Sequence, residues 1–179
     1  MKYIKTALLG LGMLAGVSGA AMAADIDVPT ESYQPMGWYL RGDVGYSWLS
    51  NNGDDDSALA VGGGIGYQYS ENLRTDIRAD WAGMGGDQSL TTVLGNLYFD
   101  IPLETVFTPY LGAGVGYGWA SNDNRRNGDD NGFAFALMAG VEFGLTDSLS
   151  ADLGYRYRQV LSGDDPHDHQ ILVGMRYSF

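Results

Sequence analysis

The sequence predicts an all-β protein, an eight-stranded antiparallel transmembrane up-and-down β-barrel, on three observations. Apolar and polar residues alternate with a period of two along most of the chain after residue 37, and only a β-strand separates such a pattern onto two faces. The alternating segments number eight, and the links between them are alternately short and long, as in outer-membrane barrels. Large aromatic residues mark the segment ends on one face, as in the girdles of such barrels.

Residues 1–23 are predicted to be a cleaved export signal. Lys2 and Lys5 precede an apolar run that is short for a membrane span, and residues 21–23 read Ala-Met-Ala, an A-x-A cleavage site. An uncleaved membrane anchor is the alternative. Residues 24–37 then form a polar leader in the periplasm, and residues 38–179 form the outer-membrane β-barrel domain.

Each predicted strand sets an apolar face against a polar or small-residue face. In LRTDIRADW, residues 73–81, charged side chains of alternating sign occupy every second position. Strands two and five carry the glycine runs VGGGIGY and LGAGVGYG on their polar face, and we interpret these glycines as spacers for large side chains of other strands. The predicted strands are 38–49, 58–69, 73–81, 89–101, 108–119, 133–144, 149–159 and 169–179.

The links between these strands alternate in length and composition. Short turns on one side and long loops on the other are typical of bacterial outer-membrane barrels, whose long loops face the outside of the cell. The long links here are acidic and rich in glycine and asparagine. The short links are 70–72, 102–106 and 145–148, and the long links are 50–57, 83–88, 121–132 and 161–168.

The charged face is predicted to line the barrel interior, because the face that meets lipid must be apolar. Six arginines and six acidic residues share the polar parity, and the balance suits an enclosed space in which an unpaired ion is costly. The predicted interior charge network consists of Arg41, Asp43, Arg74, Asp76, Arg78, Asp80, Asp100, Glu142, Asp152, Arg156, Arg158 and Arg176.

Four tryptophans on the apolar face are predicted to form the aromatic girdles. Trp38 and Trp48 lie at opposite ends of strand one, at a spacing that corresponds to an apolar band about 25 Å tall. Trp81 and Trp119 join Trp48 in the outer girdle. A soluble sandwich or a lipocalin-like barrel is the alternative, and it would turn these tryptophans inward and expose the charges.

The composition excludes several classes of partner and chemistry. After residue 23 the chain has eight arginines against 22 acidic residues, so nucleic acid is not an expected partner. The chain has no cysteine and therefore no disulfide framework. No cofactor is predicted. The expected partners are outer-membrane lipid and lipopolysaccharide, with divalent cations at the acidic outer loops.

Two acidic segments are weak candidates for metal binding. DDPHDH, residues 164–169, places His167 and His169 among carboxylates, but ligands without a fixed spacing rarely form a metal cage, and we favour an exposed acidic loop. DNRRNGDD, residues 123–130, is a poor match to a calcium loop because Arg125 stands where an oxygen ligand is needed. We therefore predict no metal site.

The C-terminal segment ILVGMRYSF resembles the assembly signal of outer-membrane proteins, in which apolar residues alternate before a terminal aromatic. With NLYFD, TPYLGAGVGYG and ADLGYRYR, the chain resembles the small barrels of the OmpA-transmembrane and opacity-protein superfamily, especially porin-like surface proteins of alphaproteobacteria. The resemblance implies insertion by the barrel-assembly machinery. The residues of the assembly signal are Ile171, Val173, Met175, Tyr177 and Phe179.

The favoured function is a structural or surface-interaction role without a wide pore, and the alternative is a small-solute porin or ion channel. An eight-stranded barrel has an interior just wide enough for side chains to fill it, and Tyr39, Tyr98 and Tyr110 also point inward. Against this, the glycines of strands two and five would leave a narrow wet path. Enzymes occur on such barrels, but neither histidine has the neighbouring serine of the lipid A deacylase type, and no catalytic residue is predicted. A protease site in facing loops stays an alternative.

Overall fold

The computed structural model shows a closed barrel of eight antiparallel strands, which confirms the predicted fold class. Every strand pairs with its neighbours in sequence, and β1 pairs with β8 to close the barrel. The structure describes residues 36–51, 54–84, 88–103, 105–122, 130–161 and 167–179. The strands are β1 (Gly37–Asn51), β2 (Asp54–Ser70), β3 (Leu73–Met84), β4 (Gln88–Asp100), β5 (Phe107–Asn122), β6 (Asp130–Gly144), β7 (Leu149–Leu161) and β8 (His167–Ser178).

The first and last strands of the barrel meet at the seam between β1 and β8. The Phe179 N–H donates a hydrogen bond to the Trp38 carbonyl at 3.1 Å, and Val44 lies opposite Val173 in the same ladder. Gly37 has a φ of +142°, a conformation that side-chain-bearing residues rarely adopt. We call the barrel end with Gly37 and Phe179 the terminal end and the opposite end the distal end.

The two faces of the sheet differ in polarity as the alternation predicts. The interior is charged and polar, with Arg74 and Arg158 fully buried, whereas Ile77 and Val173 on the exterior are 65% and 56% exposed. This is the inverse of a soluble protein, and a continuous apolar belt around a barrel with a polar interior is the arrangement that lipid requires.

The distal ends of several strands extend beyond the predicted bounds. β1 and β2 stay paired out to Asn51 and Asp54, so most of the predicted link 50–57 belongs to a hairpin. Backbone pairing does not depend on apolar alternation, so a ladder can continue into residues that face water. The predicted contrast between short and long links is therefore wrong as a difference in length. The distal connections are 52–53, 85–87, 123–129 and 162–166, and the terminal ones are 71–72, 101–106 and 145–148.

The predicted signal peptide, residues 1–23, and the leader as far as residue 35 lie outside the described residues. In the part of the chain that the structure describes, no helix is long and apolar enough to cross a membrane.

The glycines on the inner face make room for tyrosines of other strands. A Cβ at Gly112 would lie 2.6 Å from Tyr98 Cδ1, and one at Gly154 would lie 2.5 Å from the Tyr110 hydroxyl oxygen. Real Cβ atoms do not approach other atoms so closely. Gly112, in β5, is one of the spacers that the sequence pattern indicates, whereas Gly154 has the same role in β7, outside the predicted glycine runs.

Candidate functional site

The candidate functional site is the barrel interior, where the structure places all twelve residues of the predicted charge network. Each of the twelve is buried, although each also carries a formal charge. The ion pairs form three clusters that follow one another from the terminal end to the distal end.

The terminal cluster joins two arginines and two acids. Arg74 Nε lies 3.0 Å from Asp100 Oδ2, and Arg74 Nη1 lies 3.7 Å from Glu142 Oε2. Arg176 also pairs with Glu142. Gln68 connects Asp100 to Arg176, since its side-chain amide donates a hydrogen bond to Asp100 at 3.2 Å and accepts one from Arg176 at 3.4 Å. The cluster spans the terminal opening of the barrel.

The middle cluster is built around Arg41. Its guanidinium lies 3.3 Å from Asp152 Oδ2, 3.5 Å from Asp76 Oδ2 and 3.7 Å from Asp43 Oδ2. Asp76 also accepts a hydrogen bond of 2.6 Å from the Asn96 amide. These acids come from β1, β3 and β7, so this one arginine connects opposite walls.

A second chain of charges continues the middle cluster along β3. Arg78 pairs with Asp43, and Arg78 Nε lies 2.6 Å from Asp80 Oδ1. Arg156 Nη1 reaches the same Asp80 oxygen at 2.9 Å. Asp80 is therefore shared by two arginines from strands on different sides of the barrel, which is consistent with its ionised form.

The distal cluster contains Asp168, an acidic residue that the sequence pattern places in the link 161–168. Asp168 lies in β8, is fully buried and binds Arg158 through two parallel hydrogen bonds of 2.9 and 2.8 Å. Its Oδ2 also accepts hydrogen bonds of 2.7 Å from Ser47 and from Gln170. The expected count of six acids is therefore corrected to seven in the described interior. Asp168 lies two residues before Gln170, so it shares the inward parity of Gln170, and this parity is the sequence signal that identifies it.

The charges of LRTDIRADW pair mainly across the barrel and not with one another. Arg78 and Asp80 do contact each other, but Arg74 binds Asp100 and Glu142, and Asp76 binds Asn96 and Arg41. Every second side chain of this strand is therefore an ion-pair or hydrogen-bond partner for residues of other strands. Its charge pattern reflects the needs of the enclosed interior.

The inward tyrosines link the charged clusters. Tyr98 accepts a hydrogen bond of 3.2 Å from Arg41 through its hydroxyl, while the Arg74 guanidinium carbon lies 4.5 Å from the centre of its ring. Tyr110 packs edge-on against Tyr98 at 5.9 Å and also lies under Arg74, at 4.9 Å. Tyr39 lies under Arg176, at 5.2 Å. Cation–π contacts of this kind stabilise desolvated arginines.

Apolar side chains fill the interior beside the charges. Leu94, which falls on the polar parity of β4, is buried there as part of a cluster on the β4–β7 side. A void lined by Arg41, Asp152 and Arg156, among others, has a volume of about 10 Å³, which is close to the room that one water molecule needs. The interior is therefore packed across its width. The apolar cluster consists of Leu90, Leu94, Tyr98, Tyr110, Ala134, Ala136, Met138 and Val160.

The four predicted girdle tryptophans lie on the exterior. Trp38 is at the terminal end, and Trp81, Trp119 and Trp48 are at the distal end, as their positions in the strands require. Trp48 is the most covered of the four, because its ring stacks on His169 with centroids 6.4 Å apart.

The segment DDPHDH does not form a single exposed loop. Residues 164–166 lie outside the described residues, whereas His167, Asp168 and His169 belong to β8. The histidines face outward and Asp168 faces inward, so the expectation of a common acidic loop is corrected for these three residues. Among the described residues, no group of three or more His, Cys, Asp or Glu side chains could hold a metal ion. Arg125 lies outside the described residues.

The five residues of the resembled assembly signal share the outer face of β8, four within the strand and the fifth, Phe179, directly after it. Ile171, Val173, Met175 and Tyr177 are each about half exposed, and Phe179 is the most exposed, at 65%. The Tyr177 and Phe179 rings contact each other, with centroids 5.7 Å apart. The segment therefore presents an uninterrupted apolar stripe beside the barrel seam.

Comparison with known proteins agrees with this architecture. The chain is 31% identical to an uncharacterized protein of Brucella abortus (strain 2308), with 93% of this chain and 86% of that protein covered. It is 23% identical to a putative adhesin of Rickettsia prowazekii (strain Madrid E), with 78% and 82% covered. The crystal structure of neisserial surface protein A superimposes with a TM-score of 0.72 at 20% identity, over 80% of this chain and 97% of that one.

The family described as the outer membrane protein beta-barrel domain matches residues 9–179 of this chain, which is nearly its whole length. A closed β-barrel with an apolar exterior, as observed here, is consistent with this family name. The chain therefore belongs to the outer membrane protein beta-barrel family and is a protein of the bacterial outer membrane.

Proposed function

We propose that this barrel acts as a structural and surface-interaction protein of the outer membrane and does not form a wide pore. The observation that carries the proposal is the packed interior, in which three clusters of ion pairs and three tyrosines occupy the cross-section. Paired charges in a confined low-dielectric space hold one another and leave no continuous aqueous path. The interaction with partners then takes place at the surfaces that face outward from the cell.

The likeness to a putative adhesin supports the same proposal. A barrel whose interior is closed can still present its distal connections to a partner, because binding residues are often carried by loops on a rigid scaffold. The connection 123–129 is the longest between the described strands and joins two of the longer ones, β5 and β6.

A small-solute porin is the second candidate, and one observation favours it. The inner wall of β5 carries Gly112, Gly114, Gly116 and Gly118, so this part of the strand projects no side chains into the interior. Tyr98 and Asn96 lie directly over two of these glycines, however. For this reason we favour the closed interior.

Planar-bilayer recording tests the choice between these two functions. Purified refolded barrels should give no steady ohmic conductance, and liposomes that contain them should not take up small sugars. A wide porin reconstituted in the same lipid is the positive control. Steady, large conductance from folded barrels, or sugar uptake, would overturn the closed interior and favour the porin.

We also propose that the acidic distal end binds lipopolysaccharide through bridging divalent cations. The chain has 22 acidic residues against eight arginines after residue 23, and acids cluster at 54–56, 129–130 and 164–165, in or beside distal connections. Carboxylates and lipid phosphates both bind Mg²⁺ and Ca²⁺ through oxygen. Lipopolysaccharide should therefore bind the barrel in Mg²⁺ and dissociate in EDTA, and equal binding in both would contradict the bridging role.

We propose no catalytic role for this barrel. Asp168 is engaged by Arg158 on the inside, whereas its neighbour His169 faces outward, so the adjacent pair does not form an acid–histidine dyad. Hydrolysis of phospholipid or peptide by refolded protein, above the level of a His167→Ala and His169→Ala double variant, would contradict this proposal.

A further inference from the structure

The two histidines of the chain form a cluster on the outer face of β8 that the proposed function does not use. His167 and His169 are two residues apart on one strand, and both are partly exposed. Their ring centroids lie 6.1 Å apart with the ring planes nearly perpendicular, at 84°. His167 is the first residue of β8, so the pair lies at the distal end of the barrel.

His169 is held in one orientation by its neighbours. The Tyr155 hydroxyl oxygen lies 2.6 Å from His169 Nδ1, the Trp48 ring stacks on the imidazole, and the Tyr157 ring centroid lies 5.3 Å away. The hydrogen bond at Nδ1 leaves Nε2 as the nitrogen for an incoming ligand. Imidazoles that bind metals commonly have their other nitrogen hydrogen-bonded in this way.

We propose that His167 and His169 together bind one divalent transition-metal ion at the outer surface, with Cu²⁺ the most tightly bound. A metal ion stands about 2.0–2.1 Å from an imidazole nitrogen, so rings 6.1 Å apart can bind one ion between them after a small rotation of the His167 side chain. Imidazole suits Cu²⁺, Ni²⁺ and Zn²⁺, and the general order of affinities places Cu²⁺ first. Water completes the coordination, since the described residues offer no third His, Cys, Asp or Glu ligand.

The residue between the two histidines does not belong to this site. Asp168 faces the interior, where both of its oxygens accept hydrogen bonds from Arg158. The site therefore uses two nitrogen ligands, unlike the carboxylate bridging proposed for Mg²⁺ at the acidic connections, which depends on oxygen ligands. Failure of one proposal leaves the other standing, because different ions report on each.

Titration of untagged refolded barrel in detergent with Cu²⁺ tests the site. Calorimetry should give one saturable site for each barrel, and electron paramagnetic resonance of the bound Cu²⁺ should show nitrogen ligands. Trp48 fluorescence should be quenched as the site fills, since its ring stacks on His169. The variants His167→Gln and His169→Gln should each weaken Cu²⁺ binding at least tenfold, and the double variant should lose the saturable site.

Two further variants separate binding from folding. Ile171→Ala changes the next outward residue of β8 and should leave the Cu²⁺ affinity unchanged. Tyr155→Phe removes the hydrogen bond to His169 and should weaken binding less than loss of either histidine, while the nitrogen signature remains. Folding of each variant is verified by its shifted mobility on unheated gels. Absence of a saturable site in the parent barrel, or equal affinity in the double variant, would overturn the proposal.

Discussion

Arg158 and Asp168 show how strongly one buried pair constrains this barrel. The carboxylate accepts two hydrogen bonds from the guanidinium and one each from Ser47 and Gln170, and all four residues are buried. Asp168→Asn would leave the arginine charge without compensation. We expect it to lower the free energy of unfolding by about 3–5 kcal/mol, measured by denaturant unfolding in micelles.

Two companion variants make this measurement specific. Asp147→Asn, an exposed acid in the turn 145–148, should change stability little, because exposed charges contribute little. Arg158→Gln combined with Asp168→Asn should cost less than the sum of the single losses, because no buried charge is then left unpaired. Additive losses would mean that the pair does not act as a unit.

Gly112 tests the spacer role of the inner glycines. A methyl group there would stand 2.6 Å from Tyr98 Cδ1, so Gly112→Ala must displace a ring that also contacts Arg41 and Arg74. Overpacking of this kind costs about 1–3 kcal/mol, and denaturant unfolding should show that loss. Gly144→Ala is the control, because nothing lies within 4 Å of its Cβ position. Equal stability of the two variants would remove the steric argument.

At the scale of a strand, the alternation correctly predicts which face each side chain occupies, but it does not predict where the strand begins or ends. The alternation places Leu94 and Asp100 on the inner face, where the structure has them, because a period of two fixes the face of every residue in a strand. The first residue of β8 is His167 and not residue 169, because backbone pairing continues where the apolar pattern has faded. The sequence also does not predict which charged residues pair with each other. Arg41 pairs with Asp152, 111 residues away, because closure of the barrel brings β1 and β7 together. The alternation thus indicates the composition of the interior but not its pairing.

Phe179, directly after β8, is the residue that should matter most for assembly. Phe179 donates its backbone N–H to Trp38 across the seam and completes the outward apolar stripe that resembles an assembly signal. Deleting Phe179 should leave export intact but impair insertion, so the outer-membrane fraction of cells should contain much less of the heat-modifiable folded form. Phe179→Tyr keeps the aromatic ring and the backbone bond and should insert normally. Normal membrane levels of the deletion would contradict a role for the terminal residue.

For the whole molecule, the decisive property is that large inward side chains cover glycines on nearby strands. Tyr98 covers Gly112 of β5, and Tyr110 covers Gly140 of β6 and Gly154 of β7, while both rings also contact Arg74. Shortening both tyrosines to alanine should keep the ion pairs but uncover Gly112, Gly140 and Gly154. A water-filled path should then run beside the charges, as it does where larger barrels leave their interior unfilled.

The double variant Tyr98→Ala/Tyr110→Ala should therefore conduct where the parent barrel is silent. Discrete conductance steps in planar bilayers are the expected result, and shifted mobility on unheated gels establishes that the variant is folded. Tyr117→Phe, which alters an outward tyrosine of β5, should remain silent and serves as the matched control. A folded double variant without conductance would mean that the ion pairs close the interior without the tyrosines, because removing two buried rings would then open no path past Arg41 and its three acids.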